Sequence, residues 1–170
     1  MPVDMVHKQV PASALETPLS LTQPSEKVAE NTALHAVVNA ICKSKSPVVL
    51  VDSLILQFGL KTMVRSLLDN LQFPTFCPFM GKSVIQETKP YFHGVYNGKF
   101  SYPGIQKTVE DDSDLVIHVG PLPTDMNTGG FSAKIDPNKL VLLEETRVIF
   151  KGTVFEGVYL GSCEPATPQL

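Results

Sequence analysis

Apolar positions along the chain follow two rhythms. One is the short unbroken run. Leu115-Val116-Ile117-His118-Val119 lies between Asp114 and Gly120, and Pro47-Val48-Val49-Leu50-Val51 runs into Asp52. Runs this short, rich in β-branched residues and without alternation, predict strands covered on both faces, as in a parallel sheet. Pro74 to Cys77 and Lys139 to Glu144 read the same way, and Val148-Ile149-Phe150 and Val154 to Tyr159 are short β candidates. The other rhythm is helical. Leu34, Val37, Val38 and Ile41 fall at i, i+3, i+4, i+7, which predicts one buried face of a helix. Ser25 is its expected cap, Glu26 and Glu30 sit in its first turn, and it should end near Lys43-Ser44-Lys45. Leu60, Met63, Val64, Leu67, Leu68 and Leu71 predict a second helix, and a short third one is expected from about Pro103 to Glu110, with Ser101 or Tyr102 at its start and Ile105 and Val109 inward.

Strands alternating with helices imply βαβ units. The expected fold is α/β: a Rossmann-like, doubly wound, mainly parallel sheet with helices on both faces. Between these elements, Phe79 to Lys82 reads as a tight turn in which Gly81 supplies a positive φ. Pro90 to Tyr102 reads as loop with local turns, and Met1 to Leu21, with its scattered prolines, as an extended connector. The domain plan is therefore the end of a preceding domain plus linker over 1–24, one domain over 25–160, and a disordered tail over 161–170.

Bulk properties narrow the function. The 170 residues carry a net charge of −3, with acids and bases mixed, so neither nucleic acid nor an anionic membrane is an expected partner. No apolar run approaches the roughly 20 residues of a membrane span. Cys42, Cys77 and Cys163 are odd in number and far apart, which predicts reduced thiols in a cytoplasmic protein. The histidines lack metal-ligand spacing. His118, inside a strand, is expected to be a hydrogen-bonded core histidine, and His93 to be more exposed.

The loop after the Leu115 strand, Pro121 to Gly130, sits where open α/β sheets meet their ligands. Asp125 and Asn127 there either contact a ligand or partner, or bond nearby backbone amides and shape the turn. No GxGxxG follows the first strand; Asp52-Ser53-Leu54-Ile55 stands in its place. The glycines that let a backbone approach a pyrophosphate are missing, which argues against an FAD- or ADP-binding domain.

Pro47 to Asp52, Gln72-Phe73-Pro74, Pro78 to Lys82, Gly94 to Gly98, Val119-Gly120 and Asp125-Met126-Asn127-Thr128-Gly129 resemble, in order and spacing, the central domain of fungal pyruvate decarboxylases and related thiamine diphosphate-dependent 2-oxo acid decarboxylases. The resemblance runs from about Val3 to Tyr159. It implies a parent lyase using thiamine diphosphate and Mg²⁺, a homodimer or tetramer, in which this chain is the central structural or regulatory domain, inactive alone. The partners would be the missing pyrimidine- and diphosphate-binding domains, and no cofactor is expected on this chain. A stand-alone subunit docking on a full-length decarboxylase is the other reading of the resemblance. Fungal members carry a regulatory cysteine just after the first strand, where this chain has Leu54 and Ile55. The resemblance also marks the loop from about Thr124 to Asn138 as a mobile active-site loop, with Asp125, Asn127, Thr128, Gly129 and Gly130 as its candidate functional residues.

Overall fold

The run Leu115–Val119 is the middle strand of a seven-stranded sheet. The structure, a computed structural model, describes residues 3–16 and 25–161. Its strands are β1 (Pro47–Val51), β2 (Thr75–Cys77), β3 (Phe92–Val95), β4 (Leu115–Val119), β5 (Leu140–Leu143), β6 (Arg147–Phe150) and β7 (Thr153–Glu156). They lie in the order β3-β2-β1-β4-β5-β6-β7. The first five strands in this order form four parallel pairs, and β5-β6 and β6-β7 are antiparallel. The strand order reverses between β1 and β4, the switch point of a doubly wound sheet.

Both faces of the central strands are covered. On one face Val49, Val51, Ile117, Val119 and Val141 pack under α1 (Lys27–Lys43), the single turn α2 (Leu54–Gln57) and α3 (Lys61–Leu71), through Ala33, Ile55, Val64 and Leu68. On the other, Val48, Leu50, Phe76 and Val116 pack under Tyr96, Val109, Ala133 and Ile135. The helix on this second face begins as α4 (Ile105–Lys107) and continues as a π-helix over Thr108–Asp112. Ile105 and Val109 face inward as expected, but the N-cap is Gly104 at φ 90°. Ser101 is occupied elsewhere: its hydroxyl accepts the Asn97 N–H.

Several expectations needed correction. Helix α1 lies on the sheet along Ala33, Val37, Ala40 and Ile41, leaving Leu34 and Val38 exposed. Two alanines let its backbone approach closely, which a count of large apolar residues overlooks. Ser25 does not cap it. Glu26 is the N-cap, without a side-chain bond, and the Ser25 hydroxyl accepts the Tyr159 N–H at 2.9 Å. The stretch expected as pure loop contains β3, with Gly94 opposite Phe76 at an irregularity in the pairing. The N-terminal piece is not simply extended but carries 3-10 turns at Val3–Met5 and Ala12–Leu15. Of the stretch expected as domain end plus linker over 1–24, residues 1–2 and 17–24 lie outside the described residues, and so does the expected 161–170 tail from Ser162 on. None of the described helices is long and apolar enough to cross a membrane.

Candidate functional site

The carboxyl ends of β2, β1 and β4 deliver three loops to one edge of the sheet, and Asp52 stands where they meet. It ends β1 and is 1% exposed. Oδ1 accepts the Ser53 N–H at 2.6 Å and an Asn127 Nδ2 hydrogen at 2.8 Å, and Oδ2 accepts the Leu122 N–H at 2.8 Å. Three donors on a buried carboxylate satisfy most of its lone pairs, as burial of a charge requires.

Asn127 is the other half of this knot. It is 3% exposed. Besides Asp52, its Nδ2 donates to Leu122 O at 3.0 Å, and its Oδ1 accepts the Met80 N–H at 2.8 Å. One side chain thus joins the loop after β4 to the end of β1 and the loop after β2. The fit is tight. Gly81 does not adopt positive φ, contrary to expectation. A Cβ there would lie 2.5 Å from Val51 O, so close backbone approach is what demands glycine.

The other candidates take different positions. Asp125 is exposed and its Oδ1 accepts the adjacent Met126 N–H. Thr128 donates to Thr124 O at 2.7 Å and accepts the Phe131 N–H at 3.0 Å. Gly129, Gly130 and Phe131 follow at φ 58°, 64° and 58°, three left-handed residues in succession. A Cβ on Gly129 would meet Asn97 O at 2.2 Å, whereas Gly130 has open space. Phe131 has no such licence, and left-handed backbone costs an L-residue about 1–2 kcal/mol. The Ser132 hydroxyl closes the far side by accepting the Lys99 N–H. The loop is therefore pinned at Asn127 and at Ser132. Between and beside these pins, Met126 and Phe131 (54% and 71% exposed) stand out, and the β2 loop, tied to Asn127 through the Met80 N–H, also exposes Phe79 and Met80.

At a switch point, dinucleotides sit in the crevice between strand ends. Here Asn127 reaches across to Asp52 and fills that place with the chain's own bonds. Among the described residues no three His, Cys, Asp or Glu come together as a metal-ligand group. Concavities of about 340 and 560 Å³ lie at the opposite end of the strands, beside Asp114, Ser44 and Phe73, and none of the loop candidates lines them. His93 is exposed and packs its ring on Phe76 at 5.8 Å, while His118, expected to be hydrogen-bonded, has a buried Nε2 without a partner. Sequence reading missed Asp52 and Met80 as site residues. The available signal was an acid ending an apolar strand exactly where the glycine loop is absent.

Residues 34–153 match the profile of the family described as thiamine pyrophosphate enzyme, central domain. The chain belongs to that family. Among curated relatives, the pyruvate decarboxylase of Kluyveromyces marxianus is 38% identical over 161 residues, and pyruvate decarboxylase isozyme 2 of Saccharomyces cerevisiae 35% over the same length. Each alignment covers 94% of this chain and 28% of the relative. The chain thus spans about a quarter of the length of the relatives it matches, and the switch-point knot is a feature of a thiamine pyrophosphate enzyme central domain.

Proposed function

We propose that this chain serves as the central domain of a thiamine diphosphate- and Mg²⁺-dependent 2-oxo acid decarboxylase of pyruvate decarboxylase type, and that its part is to organise the assembly. The observation that carries this reading is the filled switch point. Asp52 and Asn127 use their polar atoms on each other and on loop backbone, so the place where this fold would hold a nucleotide is committed to internal bonds. The same residues do not fit thiamine diphosphate or Mg²⁺. We derive no catalytic step from them; the cofactor, which acts as nucleophile and electron sink in such lyases, would be held by other domains of a homodimeric or tetrameric cytoplasmic enzyme.

Within that reading the 124–138 loop contacts a neighbouring domain. Asp125, Asn127 and Thr128 were its expected contact residues, and the geometry favours a different division. Asn127 and Thr128 hold the loop's shape, while Asp125, Met126, Gly130 and Phe131 form the outward crown. Backbone strain kept beside an exposed aromatic ring fits a contact surface. Leu54 and Ile55 open α2, with Ile55 in the core, so regulation through a thiol at that corner is not part of the proposal.

The experiment is direct. The chain is incubated with thiamine diphosphate, Mg²⁺ and pyruvate or phenylpyruvate, and separately titrated with FAD and ADP. No CO₂ release above a buffer control and no nucleotide binding are expected. CO₂ release would refute the structural role, and saturable FAD or ADP binding would favour the nucleotide-domain reading instead.

A further inference from the structure

His118 is the one polar side chain on β4. It lies in register with Leu50 of β1 and Leu142 of β5, and its Nε2 is buried without a hydrogen-bond partner. That nitrogen is 3.5 Å from Asp52 Oδ2, at the outer limit for a hydrogen bond. Among the described residues, no other cationic side chain pairs with Asp52. The remaining charged groups around the site are committed. Lys82 pairs with Glu87, Glu144 with Arg147, and Asp125 with its neighbouring amide. On the face beneath, Glu110 accepts from Tyr96, Gln106 and the Lys134 N–H, and the Lys139 ammonium donates to Glu110 O and Ser113 O. His93 is turned onto Phe76.

We propose that His118 is a proton-operated latch on the root of the loop that carries Asn127. Imidazole is the side chain that changes charge near neutrality. A proton on the ring supplies an N–H⁺ donor beside a carboxylate that has hydrogen bonds but no counter-charge. The ring then closes the gap to Asp52 Oδ2, forming a charge-assisted bond. Asp52 already holds Leu122 and Asn127, so the state of His118 is transmitted to both, and through Asn127 to Met80. The proton is taken from solvent and returned to it. His118 acts here as a positioning residue.

The test is a pH titration of the full 170-residue chain followed by NMR. The His118 Cε1–H resonance reports ring protonation. The Leu122 amide, the Asn127 side-chain amide and the Met80 amide report the loop root. These three are expected to shift with the same midpoint as the His118 ring, and to lose that shift in His118→Gln. His7, His35 and His93 serve as internal controls, whose midpoints the three amides should not follow. In Asp52→Asn, removing the negative charge should move the His118 midpoint to lower pH. Amides that stay fixed through the His118 titration would overturn the proposal. So would amides that shift equally in His118→Gln, or a His118 midpoint indifferent to Asp52→Asn. The wild-type comparison of midpoints decides the matter by itself should either variant fail to fold.

Discussion

Replacing Asn127 by alanine separates a knot that holds three loops from a turn that bonds only itself. The substitution removes one bond to the buried Asp52 carboxylate, one to Leu122 O and one from the Met80 N–H. A hydrogen bond to a charged group contributes about 1.5–3 kcal/mol and a neutral one about 0.5–1.5 kcal/mol. The three are not additive, because they share one side chain, and water entering the gap restores part of the loss. The expected cost is about 3 kcal/mol. Asp125→Ala gives the contrast. Its carboxylate is exposed and accepts only the next residue's N–H, so it should change stability by less than about 0.5 kcal/mol. For a chain of this length, about 3 kcal/mol lowers the thermal midpoint by roughly 6–12 °C. Urea unfolding followed by circular dichroism measures both variants, with an unchanged m-value as the check that only stability moved. Asn127→Asp should be worse than alanine, since it sets a second carboxylate against Asp52. Equal losses for Asn127→Ala and Asp125→Ala, or a loss below about 1 kcal/mol for Asn127→Ala, would refute the reasoning.

The remaining expectations concern the same packing. Gly81→Ala should cost about 1–3 kcal/mol, because the new methyl must be relieved by backbone movement against Val51 O; Gly130→Ala, with open space, should cost only the left-handed strain of about 1–2 kcal/mol, and urea midpoints rank the two. Tyr96→Phe removes the 2.7 Å bond to Glu110 and should cost about 1–2 kcal/mol, while Glu110 keeps its bond from the Lys134 N–H. Cys77 is buried, and burial, reinforced by Glu87, pushes its thiol from 9.0 up to about 12. Thiol reagent at pH 8 should therefore label exposed Cys42 and spare Cys77 in the native chain, as mapped by mass spectrometry. The folded state keeps the Cys77 proton when the unfolded state has lost it. This stabilising contribution is full below about pH 9 and is lost as pH rises towards about 12, so Cys77→Ala should flatten the alkaline decline in unfolding free energy.

The sheet was legible because its central strands are buried on both faces, and burial on both faces leaves a continuous apolar run in the sequence. Leu115–Val119 and Pro47–Val51 carry that mark and were found nearly to the residue. β3 was not, since an edge strand with Gly94 at an irregular pairing has no such run. The face of α1 was misjudged because its contact depends on Ala33 and Ala40 being small, and hydrophobic spacing registers size only weakly. The loop candidates show the deeper limit. Asp125 and Asn127 look alike in sequence: both are short, polar and a few residues before the Gly129-Gly130 pair. Their difference arises from partners 47 and 75 residues away, Met80 and Asp52, which only the parallel crossover from β1 to β4 brings together. What sequence did supply was a negative. The absence of a glycine loop after β1 removed the usual reason for a free switch point, and an acid at that corner then needs its own donors. Asn127 is the donor that the fold delivers, which is why a missing nucleotide motif and a polar loop residue far along the chain belong to one arrangement.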